Sequence, residues 1–562
     1  MVFLLFEVFM QETHVLLLGE GVQGGAMEEA VYVLTYDVGT TGCKTCIYRI
    51  GKSLTKVGAE IAEYPLYMTE DGGAEQKADE WWEALCLSTR RVLEKAALAS
   101  EAIHGISFCC QMQGSIMVSK DGKALRNPMS YLDGRATKQI ERYLHRGLFR
   151  IEKMNAPTLL KSLRITGGLA ATPKDPLWKY HWVKENEPEI FEKTHKWLDV
   201  KDYLILRCTG EYGMTQDSAH ITFLYDTRKG KEGWHKGLCR TFDVDMDHLP
   251  KVVQATDCVG ELTKKAAGEL GLSPGTPVFG GGGDVTLTTI GSGCLDLNDT
   301  HIYVGTSGWV VSNVEKRYVD ISNFMAAILG AIPDRYNFVA EQETSGACLQ
   351  WVRDHLALDA IGVYMKDRKH ETVCEELGEL YNLMNQAVAE TEPGAGNLIF
   401  TPWLHGNRAP KEDARARGIF FNIGINTGKR RMIRAVLEGV AFHKRWMLEA
   451  MEKRIPKQEV VRFVGGGAKS SVWCQIMSDV TGRRIETVEN PQDSGAAGAA
   501  VVCSVGLGVM PDFSSAKSLI RVEETYEPQT GTQKMYHRNF KVFKNLYSKN
   551  KKLFSALNGR SV

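Results

Sequence analysis

The chain has 562 residues, 43% of them hydrophobic and 24% charged, and its 68 basic side chains balance 68 acidic ones. That length exceeds what one core fills and predicts two large domains, while zero net charge removes the global electrostatic case for nucleic acid or an anionic membrane as partner. The sequence has no run of about twenty apolar residues to span a bilayer. Among thirteen cysteines, Cys43 and Cys46 make one C-x-x-C, but no second pair completes a zinc site. The cysteines are expected as reduced thiols in a cytoplasmic protein.

Met1 to Phe6 is apolar but lacks a basic n-region, a poor signal peptide. Residues 1–26 are expected to be an extension outside the core. They contain Gly19-Glu20-Gly21-Val22-Gln23-Gly24, a G-x-G-x-x-G, with Asp37 at the dinucleotide-fingerprint distance. Only Gly25 to Ala30 remain for a crossover helix, which is too few. Val31 to Tyr36 is a predicted strand, Asp37-Val38-Gly39-Thr40-Thr41-Gly42 a tight turn, and Lys44 to Ile50 a second strand. Backbone N–H groups and the Thr40 and Thr41 hydroxyls in such a turn can cradle a phosphate, and Asp37 can hold a metal ion. A plain hairpin turn is the competing reading.

Asp79 is expected to cap a helix that buries Trp82, Leu85, Val92 and Ala96 on one face. Ile103 to Phe108 is a strand ending at Gln111-Met112-Gln113-Gly114-Ser115. Strand ends are where open α/β sheets bind ligands. Asp133 and Arg135 share a Gly-containing turn, for which hydroxyl binding and a surface ion pair are both open. The spacing of Pro176, Lys179, Trp182 and Glu185 predicts an amphipathic helix, and Trp197 to Arg207 another buried element.

The apolar Pro277-Val278-Phe279 then runs into four glycines and Asp284. Four residues without side chains let the backbone turn tightly and let another group approach. A carboxylate at the tip of that turn is placed to act as a general base, or more simply to cap a helix. His301 to Val304, Gly305-Thr306-Ser307-Gly308 and Trp309 to Ser312 restate the strand–turn–strand of residues 31–50. Two similar lobes facing one nucleotide follow, with a boundary between 297 and 298. Domains of 27–297 and 298–562 are expected. Glu438, within a helix from Ile433 to Met447, is expected to pair with a nearby arginine. Val460 to Val464 is a strand leading to Gly465-Gly466-Gly467-Ala468-Lys469-Ser470 and a helix to about Thr481. Bare glycine backbone there admits the flat face of a purine. Ala496 to Val502 is small enough for another element to pack close. Lys534 to Lys552 predicts a basic amphipathic helix. No P-loop G-x-x-x-x-G-K-[ST] is present.

Taken in order, these motifs resemble the FGGY carbohydrate kinase family. Glu75-Gln76, Leu132-Asp133-Gly134-Arg135 and Gly406-Asn407-Arg408-Ala409-Pro410 add to the likeness, which covers about residue 31 to about residue 550. The resemblance implies an α/β, two-lobed, actin/hexokinase-like fold, a duplicated ribonuclease-H-like core with the site in the cleft. It implies ATP and Mg²⁺ as cofactors and a small sugar as substrate, with a homodimer as one expected assembly. It carries the base role onto Asp284. Phosphate and Mg²⁺ contacts fall on Asp37, Thr40, Thr41 and Lys44, and a second phosphate turn on Gly305, Thr306 and Ser307. ATP's adenosine falls on Gly465, Gly466, Gly467, Ala468 and Ser470, and the sugar on Gln111, Met112, Gln113, Asp133 and Arg135. Xylulokinase-like members are the nearest likeness, making D-xylulose the leading substrate among small ketoses and polyols, with another sugar or polyol of the ribulose, erythritol or gluconate type as the alternative. Gln113 and Val285 depart from their His and Asn. An actin-like nucleotide-binding protein without kinase activity and an oxidoreductase built on Gly19–Gly24 are the competing classes.

Overall fold

The computed structural model describes residues 30–145, 148–151, 154–357 and 370–559; the Gly19–Gly24 motif lies outside them. β-Branched and aromatic residues give the first hairpin, β1 (Val31–Val38) and β2 (Gly42–Ile50), continued by β3 (Leu54–Glu63). With β4 (Ile103–Cys110), β5 (Cys258–Glu261), β6 (Pro277–Phe279) and β7 (Gly282–Gly283) they build one sheet. Its order is β5-β6-β4-β1-β2-β3, with β7 beside β4. The three leading strands are antiparallel, and β4 and β6 run parallel beside them. β1 extends two residues past the predicted Tyr36, so Asp37 sits on a strand, opposite Lys44.

The second sheet repeats that plan. It contains β8 (Thr300–Val304), β9 (Gly308–Val314), β10 (Val319–Asp320), β11 (Met325–Leu329) and β12 (Tyr336–Gln342). β13 (Val460–Val464), β14 (Arg484–Val488) and β15 (Val522–Tyr526) complete it in the order β10-β11-β12-β9-β8-β13-β14-β15. Within it β12-β9-β8 are antiparallel and β8-β13-β14 parallel, the arrangement of β3-β2-β1-β4-β6 again. The duplicated ribonuclease-H-like architecture is therefore visible strand by strand.

Helix α1 (Ala78–Ala96) buries Trp82, Leu85 and Val92 as the periodicity predicts. Asp79 is not its cap. The capping position is Lys77, without a side-chain bond, and Asp79 instead pairs with Arg207 at 2.9 Å. Helix α2 (Pro176–Asn186) is not amphipathic either: Leu177 to His181 and Val183 are all buried. Its Lys179 is drawn inward because two backbone carbonyls await its ammonium.

The lobes join where α3 (Asp284–Gly291) crosses a helix of the other lobe. Helix α4 (Lys429–Met451) is the long helix of the second lobe, followed by α5 (Ser471–Thr481) and α6 (Ser494–Gly506). α6 packs on the first sheet and not its own: Ala496, Ala499, Ala500 and Val501 share a core with Val33, Cys46, Leu287 and Ile290. A Cβ on Gly291 would overlap the Ser494 carbonyl, and one on Gly498 the Leu287 carbonyl. The small residues of α6 bring the two backbones into contact.

The tail helix α7 (Gln533–Asn558) buries Tyr536, Phe540, Phe543 and Tyr547, as expected. Glu438 anchors it. One carboxylate oxygen accepts from Arg434 Nε, Tyr536 OH and Gly394 N, each at 2.8 Å. Glu438→Ala would leave the buried Arg434 guanidinium without an anion, a loss of about 3–5 kcal/mol. Urea denaturation is expected to report a drop of that size.

Candidate active site

The glycine run is shaped by what it touches. Gly281 has φ +65°, and a Cβ there would overlap the Phe108 carbonyl. A Cβ on Gly283 would overlap Met112. Gly281 admits the chain's own β4 backbone and Gly283 the Met112 side chain, and β7 pairs with Cys109 and Cys110. The chain then enters α3, and Asp284 is its first residue. Asp217 fixes this junction: one of its oxygens accepts from Gly283 N and from Thr286 Oγ1, both at 2.7 Å.

Asp284 Oδ1 accepts from Val285 N at 2.8 Å. Burial between the lobes pushes its carboxyl up to about 7, against that hydrogen bond, and the neighbouring charges of Asp37, Glu341 and Asp199 push the same way. Burial also raises Asp37, with the Lys44 ammonium opposing. Tyr303, on β8, feels both Asp37 and Asp284. The two lobes thus place Asp37 and Asp284 from one side, and Tyr303 and Glu341 from the other, around one polar centre.

Around it stand the residues singled out in the sequence. The β1–β2 turn presents Thr41 to solvent, and Thr40 Oγ1 lies 3.2 Å from Tyr131 OH. Gln76 Nε2 donates to Thr40 O at 2.7 Å, and Gln111 Nε2 to Gln76 Oε1 at 3.0 Å, tying this turn to the end of β4. Lys44 is shared between Asp37 and Asp493: its Nζ donates to Asp493 Oδ1 at 2.7 Å, Lys56 holds the other oxygen at 2.6 Å, and the Lys44 charge acts on Asp37 opposite it. In the second lobe Thr306 and Ser307 are exposed at the β8–β9 turn, the counterpart of Thr40 and Thr41.

Gly465 and Gly467 press on Val304, whereas Gly466 is exposed with open space where its Cβ would be. That one glycine leaves a bare face. Ala468 is buried behind it, and Ser470 caps α5, accepting from Trp473 N at 3.2 Å and donating to Asn385 Oδ1 at 2.7 Å.

At the end of β4, Met112 packs with Val285, Trp309, Val311 and Val339 in a small apolar cluster bridging the lobes. Gln113 has φ +66°, and its carbonyl accepts from the buried Lys179 Nζ at 2.8 Å. Lys179 also donates to Ser130 O at 2.6 Å, so one ammonium clamps the two segments that carry Gln113 and Asp133. Asp133 is fully buried, not on a surface turn. It takes Arg135 Nη2 at 2.7 Å and Ala74 N at 3.0 Å, while the Arg135 guanidinium lies 4.4 Å from the Trp182 ring centre. Gln111 Oε1 is buried without a hydrogen-bond partner among the described residues.

Sequence reasoning missed Asp217, Asp199 and Tyr131. Asp199 accepts from Gln113 N at 3.2 Å and Gly114 N at 2.8 Å. Asp199 directly follows the short strand Lys196–Leu198, and Asp217 stands two residues past the short strand Gly213–Thr215. That position at a strand end was the available signal.

Comparisons with known proteins agree with this geometry. The family model for the N-terminal domain of the FGGY family of carbohydrate kinases matches residues 32–291, and that for the C-terminal domain residues 301–507. The chain belongs to the FGGY family of carbohydrate kinases. It is an enzyme of the phosphotransferase class with an alcohol acceptor, and its family implies ATP as phosphoryl donor. A xylulose kinase of Bacillus subtilis is 29% identical, covering 94% of this chain and 98% of that protein. A gluconokinase of the same organism is 26% identical over 92% of this chain and 95% of its own length. The crystal structure of a gluconate kinase from Lactobacillus acidophilus superposes with a TM-score of 0.78 at 24% identity, over 94% of this chain and all of that one. That likeness speaks to the fold. No helix among the described residues of this kinase is long and apolar enough to cross a membrane.

Proposed function

We propose that this kinase moves the γ-phosphoryl group of ATP to a hydroxyl of a small ketose or polyol, D-xylulose first among them, with Asp284 as general base. The observation that carries it is the Asp284 carboxyl at the start of the interlobe helix, where burial raises it to about 7, flanked by Gly283 and Val285 that pack on Met112 and sharing a polar centre with Asp37, Tyr303 and Glu341. A general base works best when its pKa lies near the working pH. Asp284 takes the acceptor proton; the Thr40–Thr41 and Thr306–Ser307 turns hold phosphate oxygens; Gly466 offers the adenine a flat face. Gln111 Oε1, unpartnered among the described residues, is the acceptor for a sugar hydroxyl. Asp133 and Arg135 act as a prebuilt ion pair that orients the sugar, in a domain of residues 27–297 that also supplies the base and the first phosphate turn, while a domain of residues 298–562 carries the rest of the ATP site.

The residues fit a magnesium ion carried in on the nucleotide. Among the described residues no group of three or more His, Cys, Asp or Glu side chains is arranged for a metal. Mg²⁺ needs only one or two carboxylates beside substrate phosphates, and Asp37 stands at the turn to supply one. When bound, it neutralises charge on the transferring phosphate. Twelve free cysteines among the described residues fit a reducing cytoplasm.

Val285 neither donates nor accepts and belongs to the apolar cluster beside the base. A hydroxyl left unpaired in such a site costs about 1–3 kcal/mol, so the acceptor is expected to be one that presents carbon there. ADP release measured across ketopentoses, ketohexoses, polyols and aldonates tests the reading. One small sugar or polyol should exceed the rest in kcat/KM by tenfold or more; aldonates turning over best would replace D-xylulose, and no acceptor in the panel turning over would overturn the proposal.

A further inference from the structure

We propose that Lys444 is a positioning residue for the nucleotide, a hidden amine beneath the second phosphate turn that takes up a proton when the nucleotide's phosphates arrive. The inference rests on the reading of Gly305–Gly308 as a phosphate turn and goes beyond it.

Lys444 lies on α4 and is completely buried. Its Nζ has no hydrogen-bond partner among the described residues. A lysine in this condition is unusual, because burying an ammonium without an anion is among the costliest placements for a side chain. What it lies against is the β8–β9 turn. A Cβ on Gly308 would come within 2.5 Å of Lys444 Nζ, 2.7 Å of Tyr303 O and 2.8 Å of Ser345 Oγ. The missing side chain of Gly308 is therefore what admits the amine to the underside of the turn, whose outer side carries the exposed Thr306 and Ser307. Ser345 Oγ, at the same place, is also buried and unpartnered.

Among the described residues no carboxylate offsets this amine. The titratable groups that face it are Cys348, His301 on β8 and His443 on α4 itself. Burial holds the Cys348 thiol up to about 12 and both imidazoles down to about 3, so all three are neutral at pH 7. Burial drives Lys444 well below its ordinary value for the same reason. A dianionic phosphate seated on the outer side of the turn is the one strong negative charge the site would meet, and nearby opposite charge favours the protonated amine. Binding and protonation are then linked: each strengthens the other.

Titration calorimetry with ADP at pH 7.5, repeated in buffers of different ionisation enthalpy, counts the protons. Wild type should take up close to one proton more per ADP than Lys444→Met. The variant's Kd should be about tenfold weaker at pH 7. Methionine replaces an unpartnered buried amine with an apolar chain of similar length, so the melting temperature should hold or rise. A merely structural lysine would leave the proton count unchanged. Equal counts and equal affinities in the two proteins would overturn the proposal alone. No ADP binding by wild type would overturn the phosphate-turn reading and this proposal with it. As a check independent of the variant, the wild-type Kd for ADP should weaken as pH rises from 7 to 9; a flat profile would contradict the linkage.

Discussion

Asp284→Asn should lower kcat by about 10²–10⁴, the usual contribution of a positioned general base, while the Kd for ATP stays within about threefold. Asparagine keeps the oxygen that accepts from Val285 N but cannot take a proton from the acceptor hydroxyl. Turnover and isothermal ATP binding, measured on the same preparation, separate the two. In wild type the base must be ionised, and burial sets its carboxyl at about 7. The rate kcat/KM should therefore fall as pH drops through 7, approaching tenfold per unit below pH 6. The same shift has a stability consequence. An acid whose folded value is raised binds more protons folded than unfolded between about 4 and 7, so wild-type stability declines across that window as pH rises. The asparagine variant lacks the buried charge. It should melt above wild type at pH 8, with the gap closing toward pH 4. A variant as active as wild type would remove Asp284 from the chemistry.

Gly498→Val should unfold or cripple the enzyme although it lies outside the cleft. Its Cβ would overlap the Leu287 carbonyl, and the relief is to push α6 off α3. Overpacking alone costs about 1–3 kcal/mol, occasionally more, and here the obstacle is backbone, which cannot rotate aside. α3 begins at Asp284, so the same displacement moves that carboxylate. A misplacement of about 1 Å can cost about a hundredfold in rate. Urea denaturation and kcat/KM below the transition test both parts. Gly508, which has φ +74° and open space around it, serves as the control: Gly508→Ala should cost only its backbone strain and leave kcat/KM unchanged.

The sheets were legible because their signals are local. Val31–Val38 and Thr300–Val304 are dense in β-branched and aromatic residues, Ile103–Cys110 carries Ile103, Ile106 and Phe108, and each stops at glycine or polar residues. The repeated strand–turn–strand disclosed the duplication before any topology was known. The small-residue run at Ala496–Val502 foretold a close approach but not its partner, because α6 leaves its own lobe to pack on the other sheet. Periodicity misjudged α2, where Lys179 goes inward: its acceptors, Gln113 O and Ser130 O, are distant in sequence. Asp79 resembled a cap by residue type, yet tertiary pairing with Arg207 decided its place. Asp493 reaches Lys44 only through the fold, from the other end of the chain. Asp217 and Asp199 were invisible for the same reason, since the backbone N–H groups they hold belong to other elements. Local chemistry singles out Asp284; long-range packing builds what holds it in place.

The central claim is that Asp284 receives the acceptor's proton between the two lobes. A crystal structure of the enzyme with Mg²⁺, a non-hydrolysable ATP analogue and the best acceptor from the panel tests it most directly. The account predicts an acceptor hydroxyl at about 2.6–3.2 Å from an Asp284 carboxylate oxygen, its oxygen facing the γ-phosphorus in line with the leaving bridge. An acceptor hydroxyl bound to some other side chain, with Asp284 out of reach of both sugar and phosphate, would contradict it.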